Sequence, residues 1–286
     1  IMNIRYPIYE GVYRILTYKE RYGEMTDLYD RPYQTDYRNS VWNCGILPVY
    51  RQQLYSVYGE YKNTAREFFA TVNLTHNREW YNRIYEQRIE NGQVQRVSLP
   101  LSNHGSGYTV KSTLSKGFYD LGLKTSFLAL LNISKAEQSS GGQRLPYQYR
   151  LMRLEPKVIW TPNRHWETSY QTDIRYGGNK IGERTRLAPL WNVTQQVQLS
   201  YIFSPIEASL SVDHYHNDVN EDQSVNAVFA DFSVLWKSRR WQITATATNL
   251  FDKRTYAYTR YASLESYTSW VRIRPREFLV AIRYRL

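Results

Sequence analysis

Trp241-Gln242-Ile243-Thr244-Ala245-Thr246-Ala247-Thr248 is the stretch on which the fold turns. Trp241, Ile243, Ala245 and Ala247 alternate strictly with Gln242, Thr244, Thr246 and Thr248. A strand sends successive side chains to opposite faces, so one face here is apolar and the other small and polar. The sequence ends on a second such run, Phe278, Val280, Ile282, Tyr284 and Leu286, with Arg283 and Arg285 between the last three. Soluble sheets also alternate, but they rarely end on apolar residues backed by arginines. A strand with lipid on one side and water on the other has this pattern. The expectation is an all-β chain, a transmembrane antiparallel up-and-down β-barrel.

Composition is compatible with that reading. Mean hydropathy is −0.61, and the notable apolar run is only Phe127-Leu128-Ala129-Leu130-Leu131. A membrane helix needs about 18 apolar residues, so helical spans are excluded, while strands wet on one face are not. The chain has 27 Tyr and 8 Trp against 9 Phe. Tyr and Trp suit positions apolar at one end and wet at the other, as at membrane interfaces or in sugar- and peptide-binding loops. An aromatic-rich soluble β-sandwich is the rival fold. The net charge of +11 comes without a long basic run or a nucleic-acid motif, so no nucleic-acid partner is expected. Outer-leaflet phosphates, an anionic ligand or an acidic partner would each balance it. Cys44 is the single cysteine, which excludes an intrachain disulfide.

Short and long connections alternate along the chain. Tight turns are expected at Asn63-Thr64-Ala65, Ser115-Lys116-Gly117, Thr161-Pro162-Asn163, Ser204-Pro205 and 237–240. Longer polar segments span 23–51, 76–105 (with a hairpin tip at Asn91-Gly92), 135–146, 177–190 and 217–224, followed by a Tyr-rich segment after Asp252. Short turns on one side and long loops on the other are a barrel asymmetry. About eleven strands are expected from residue 54 onward, with two more at 2–9 and 12–22. Counting back from Leu286 gives an odd number, whereas single-chain bacterial barrels have an even one. Residues 1–286 are therefore expected to be a single portion of an incomplete barrel, with earlier strands upstream or on another chain.

Asn249-Leu250-Phe251-Asp252-Lys253-Arg254-Thr255-Tyr256, followed by Arg274-Pro275-Arg276-Glu277-Phe278 and an alternating end, resembles the C-terminus of TonB-dependent receptors. The match covers about the last 45 residues. The Tyr-rich loops resemble the Bacteroidota-type members, SusC-like nutrient importers among them. The resemblance implies a barrel of about 22 strands in the Gram-negative outer membrane. It also implies an N-terminal plug domain, which this chain lacks, energy coupling through TonB, and in some members a surface lipoprotein partner. Phe278, Val280, Ile282, Tyr284 and Leu286 resemble the signal read by the barrel-assembly machinery; the family usually ends in Phe, here in Leu286. Read on its own, the element supplies turn chemistry through Asn249 and Asp252. Pro275, which lacks an N–H donor, suits a strand start.

Ligand-binding candidates come from two aromatic, basic segments: Trp80, Tyr81, Arg83 and Tyr85 in one, and Tyr256, Tyr258, Arg260, Tyr261, Tyr267 and Trp270 in the other. Aromatic faces beside guanidinium groups hold sugars, peptides or anionic chelates. Equally, such residues form interface girdles or pack loop on loop. His214, His216 and Asp218 share a strand face and make a weak metal-ligand pattern; a polar strand end entering a loop is the favoured reading. Catalysis is not expected, because Asp173 and His165 lie apart and no Ser sits in an elbow-like motif. Gly-rich phosphate loops and paired cysteines are absent, so no cofactor is expected. The reading is an outer-membrane importer of a large solute (a glycan, peptide or metal chelate), with the lipid bilayer and lipopolysaccharide around it. The alternatives are a passive porin and a structural barrel that docks a surface lipoprotein.

Overall fold

The computed structural model describes residues 2–9, 11–90, 93–182, 185–186, 188–262 and 265–285, excepting the side chains of 3, 5–9, 90, 185–186, 260–262 and 265–267. Its strands are β1 (Met2–Tyr9), β2 (Val12–Tyr22), β3 (Tyr33–Gln34), β4 (Asn39–Trp42), β5 (Val49–Asn63), β6 (Phe68–Tyr81) and β7 (Ile84–Glu90). Then come β8 (Gln93–Leu99), β9 (Asn103–Phe118), β10 (Leu123–Ser140), β11 (Gln143–Asn163), β12 (Trp166–Ile181), β13 (Thr185–Arg186) and β14 (Leu190–Phe203). The last are β15 (Ile206–Asp218), β16 (Ser224–Lys237), β17 (Trp241–Thr248), β18 (Thr255–Ala262), β19 (Glu265–Arg272) and β20 (Glu277–Tyr284).

The fold is all-β. β1, β2, β5, β6, β9, β10, β11, β12, β14, β15, β16, β17 and β20 pair in that order, each antiparallel to the next. These thirteen strands make one up-and-down barrel wall. The remaining strands belong to excursions at the long-loop end. β3 pairs with β4, β7 with β8, and β18 with β19, the last pair forming a separate small sheet. Among the described residues no ladder joins β1 to β20.

Register carries one face across the whole wall. Val57, Leu74, Val110, Leu131, Met152, Tyr176 and Trp191 form a continuous cross-strand row. Further along, Leu199, Leu210, Phe232, Ala247 and Phe278 form another. The residues between them point the other way and are polar, as in Gln196–Asp213 and Thr71–Thr113. Because partners in register share a face, one slip would invert every strand beyond it.

The apolar face is not a core. Phe127 is 39% exposed, Leu131 42% and Trp241 46%. In a soluble sandwich these side chains would lie against a second sheet; here no second sheet of the described residues covers them. Among the described residues the buried apolar ones are few: Ile84, Val97, Leu190, Ala227, Ala230 and Ala257. Most lie in the excursions or where an excursion meets the wall.

Aromatic rings bound the apolar face at both ends. At the long-loop end Tyr55, His76 and Tyr108 stack in series, with centroids 6.2 and 4.4 Å apart, and Tyr176 meets Trp191 at 4.8 Å. At the short-turn end Trp166 meets Tyr201 and Trp241 meets Tyr284, each at 4.7 Å. Tyr108 and Phe118, Trp166 and Tyr176, and Trp191 and Tyr201 are each ten residues apart along one strand. That is about 33 Å of strand, or about 25 Å after a tilt of about 40°, the height of a barrel's apolar band.

Several boundaries differ from the sequence expectation. Ser115-Lys116-Gly117 is strand, and the turn lies at Tyr119–Leu121 with Gly122 left-handed at φ 59°. Thr161-Pro162-Asn163 likewise completes β11, so that turn falls at Arg164-His165. Residues 135–146, loop-like by composition, are paired strand except for Gly141-Gly142. In each case the neighbouring strand supplies ladder partners that local composition does not reveal. The segments 76–105 and 177–190 are also shortened by strand at both ends. The expected tip Asn91-Gly92 lies outside the described residues, although β7 and β8 flank it in register.

Candidate functional site

The long-loop end is built from three pieces. The first is a strap made by β7 and β8, which crosses to the extension of β10. Glu86, buried on β7, accepts from Ser139 Oγ at 2.8 Å and from the Gly142 amide at 3.3 Å, and it pairs with Arg88 at 2.8 Å. These donors hold the Glu86 carboxyl below the ordinary glutamate range, the Arg88 hydrogen bond being the largest cause. On its other side the strap meets β4, in parallel pairing with β8. Arg83 reaches Asp27 of the 3-10 turn Met25–Leu28 at 2.9 Å. Tyr85 carries two guanidinium groups over its ring, Arg96 at 3.7 Å and Arg83 at 4.8 Å from the ring centre. Both contacts are cation–π pairs. Cys44 Sγ lies 3.4 Å from Ser98 Oγ beneath the strap.

The second piece is on the inner face of the wall. Glu79 accepts from Tyr50 Oη, Gln52 Nε2 and Asn77 Nδ2 through one oxygen, at 2.9–3.2 Å, and from Tyr81 Oη through the other at 3.0 Å. Glu79 thus accepts four hydrogen bonds from neutral donors, three of them on one oxygen. Tyr50 and Tyr81 also pack ring on ring at 4.8 Å.

The third piece is the β18–β19 hairpin, which folds against the polar face of the wall. Tyr256 meets Tyr215 at 5.3 Å and Tyr258 at 5.9 Å, and Asn217 Nδ2 donates to the Ala257 carbonyl at 3.2 Å. Between the hairpin and the wall lies a cleft of about 590 Å³ lined by Tyr149, Arg153, Asp173, Arg175, Tyr256 and Tyr258. Asp173 accepts from Arg153 at 3.0 Å and Arg175 at 2.6 Å; Arg153 also pairs with Glu155. Two guanidinium groups, each with five N–H donors, have more donors than Asp173 and Glu155 take up, which leaves some for an anionic or polyhydroxylated guest.

The base of this hairpin is clasped by the Asn249–Lys253 element. Asn249 and Asp252 both take left-handed backbone angles, φ 51°. The Asn249 side chain donates to the carbonyls of Lys253 and Arg274, at 2.9 Å each, and accepts from the Lys253 amide. Asp252 accepts from the Arg276 amide at 3.0 Å and from Arg254 at 2.8 Å. The chain leaving β17 and the chain entering β20 are thus tied together by two side chains. The Asp252 carboxyl is held below the ordinary aspartate range, chiefly by Arg254.

The sequence candidates do not converge on one surface. Trp80 lies on the outer face, in register with His104 and Arg51. Tyr81 faces inward onto Glu79. Arg83 and Tyr85 are spent in the strap. Tyr256 and Tyr258 line the inner cleft, while Trp270 is 67% exposed. The side chains of Arg260, Tyr261 and Tyr267 lie outside those described. In the assembly-signal strand Phe278, Val280, Ile282 and Tyr284 share the outer face, in register with β17, and Leu286 lies outside the described residues. His214 and His216 also share the outer face; His216 Nδ1 lies 2.9 Å from Asn226 Oδ1, and its Nε2 lies 3.4 Å from Asp218. No group of three or more metal-ligating side chains forms among the described residues. Glu79, Arg153, Asp173 and Arg175 were not among the candidates; their signal is a charge at inward-facing positions of strands whose outward positions are apolar.

No protein-family model matches the sequence, and no curated protein matches it. Among solved structures it is similar to the FrpB iron transporter from Neisseria meningitidis (TM-score 0.48, 8% identity, 88% of this chain and 42% of that one). It is similar as well to the siderophore receptor PiuA from Acinetobacter baumannii (TM-score 0.47, 7% identity, 89% and 46%). A third is the translocator domain of the autotransporter NalP from Neisseria meningitidis (TM-score 0.29, 11% identity, 96% and 88%). The chain spans less than half the length of the first two.

Proposed function

We propose that this chain is the wall of an outer-membrane importer of the TonB-dependent-receptor type. The observation that carries the proposal is the two-faced wall: thirteen strands in one register, apolar and exposed outside, polar within, banded by aromatics at the height of a bilayer. The C-terminal element supports the receptor reading because it clasps a hairpin against the lumen rather than ending a strand idly. Backbone edges in lipid cost several kcal/mol per unpaired group, so β1 and β20 belong beside further strands of a larger barrel. The lumen then needs a plug, released by TonB from the inner membrane, and the long loops offer a docking face for a surface lipoprotein. The guest is a glycan, peptide or metal chelate, recognised by Tyr rings and guanidinium groups as in Bacteroidota-type nutrient importers. Capture and passage, rather than catalysis, is the function.

Uptake by cells expressing the full-length protein tests this. A radiolabelled iron chelate, an oligosaccharide and an oligopeptide are each supplied with and without an agent that collapses the inner-membrane proton gradient. An importer takes up at least one probe in a gradient-dependent way. Uptake that survives the collapse, or steady conductance in a planar bilayer, identifies a passive pore instead.

A further inference from the structure

The outer face carries a feature the importer reading does not use. Immediately beyond the stacked Tyr55, His76 and Tyr108, on the long-loop side, the next residue row runs Arg78, Ser106, Lys135, Gln148 and Lys180 in unbroken register. These residues and His104 line a shallow depression of about 570 Å³. Two carboxylates also border it. Glu137 pairs with Arg144 at 3.4 Å, and Glu79 is held on the inner face by its own four donors. Among the described residues no carboxylate lies within ion-pair distance of Arg78, Lys135 or Lys180; Arg78 Nε donates only to His76 Nε2, at 3.3 Å.

We propose that this row binds the phosphates of an anionic outer-leaflet glycolipid of the lipid A type, a reading that rests on the outward face meeting lipid. Position argues for the occupant. The aromatic belt marks the depth of the interface, and the row one step beyond it lies at headgroup level. Neighbouring strands are about 4.8 Å apart, so the three cations spread over about 19 Å, a span that suits a headgroup bearing more than one phosphate. No described carboxylate pairs with them, and the apolar rows below supply a surface for acyl chains. A free phosphate would use the charge but not the apolar rows.

The test uses the whole protein in detergent, with binding of diphosphoryl lipid A and its dephosphorylated form read by native mass spectrometry. The diphosphoryl form binds the wild type. The triple variant Arg78→Gln, Lys135→Gln, Lys180→Gln loses about a hundredfold in affinity, from about fivefold for each of the three surface cations. Lys135→Arg with Lys180→Arg retains binding, which separates lost charge from lost folding. Arg66→Gln, Arg164→Gln and Arg239→Gln, which remove the same charge at the short-turn end, leave it unchanged. Equal binding of the dephosphorylated lipid, an unaffected triple variant, or equal loss in the short-turn variant overturns the proposal. If the wall does not face lipid at all, the wild-type protein stays dispersed without detergent, a result read separately.

Discussion

At the scale of single residues, Asn249 has the most concentrated role. It is 6% exposed, sits at φ 51°, and its one amide serves three backbone groups from both legs of the hairpin base. Asn tolerates the left-handed region better than other side chains, and Gly tolerates it freely. Asn249→Gly therefore removes only the hydrogen bonds, whereas Asn249→Ala removes them and adds about 1–2 kcal/mol of backbone cost. Losing these bonds to two carbonyls and an amide costs about 1–3 kcal/mol. Amide hydrogen exchange over 255–272 is expected to quicken in the order wild type, Gly variant, Ala variant. Equal rates in all three would mean that the hairpin is held by its wall contacts alone. The sequence shows the turn chemistry of Asn249 and Asp252 plainly. It does not show that their partners include the carbonyl of Arg274 and the amide of Arg276, because such contacts depend on where the chain returns.

Among elements, the β7–β8 strap is the one whose docking depends on a titratable group. Glu86 is held below the ordinary glutamate range by Arg88, Ser139 and the Gly142 amide. A carboxyl whose folded pKa is depressed contributes stability that is present above its unfolded pKa and lost as pH falls through the folded one. The strap is thus expected to stay docked at neutral pH and loosen in acid, below the ordinary glutamate value. Tryptic cleavage after Arg88, followed against pH, reads this directly. Glu86→Gln should raise cleavage at neutral pH by about five- to thirtyfold, from about 1–2 kcal/mol for a hydrogen-bonded buried charge. It should also flatten the acid limb; a steep limb that survives the substitution would place the sensitive group elsewhere. The strap shows why site residues were harder to read than strands. Period-two alternation exposes which way Leu131 or Val197 points, since it depends only on neighbours in sequence. Tyr85, by contrast, reads as an open aromatic with a nearby arginine, and only the fold brings Arg96 onto its ring as well. Paired extension of β10 and β11 through a polar, Ser-rich segment was hidden for a similar reason: each strand is stabilised by the other, not by its own composition.

For the whole molecule, everything depends on which side of the wall is oil, and two adjacent residues discriminate. Gln196 and Val197 lie midway between the aromatic belts on β14, which Trp191 and Tyr201 mark on that strand. Gln196 points inward opposite Asp213, while Val197 points outward in register with Tyr170 and Val212. An arginine on the lipid face of a barrel costs about 2–4 kcal/mol at the midplane. An arginine at 196 instead meets a carboxylate in a wet interior. Val197→Arg is therefore expected to lower the fraction of protein that migrates as the compact, unheated form on gels, and Gln196→Arg to leave it near the wild-type value. Were the outer face merely a water-exposed sheet, an arginine at 197 would shift stability by no more than about 0.5 kcal/mol, as surface substitutions do. The two variants would then behave alike. The contrast between neighbours cancels effects of strand propensity and expression, because both carry the same new side chain in the same strand, and it isolates the solvent each face meets.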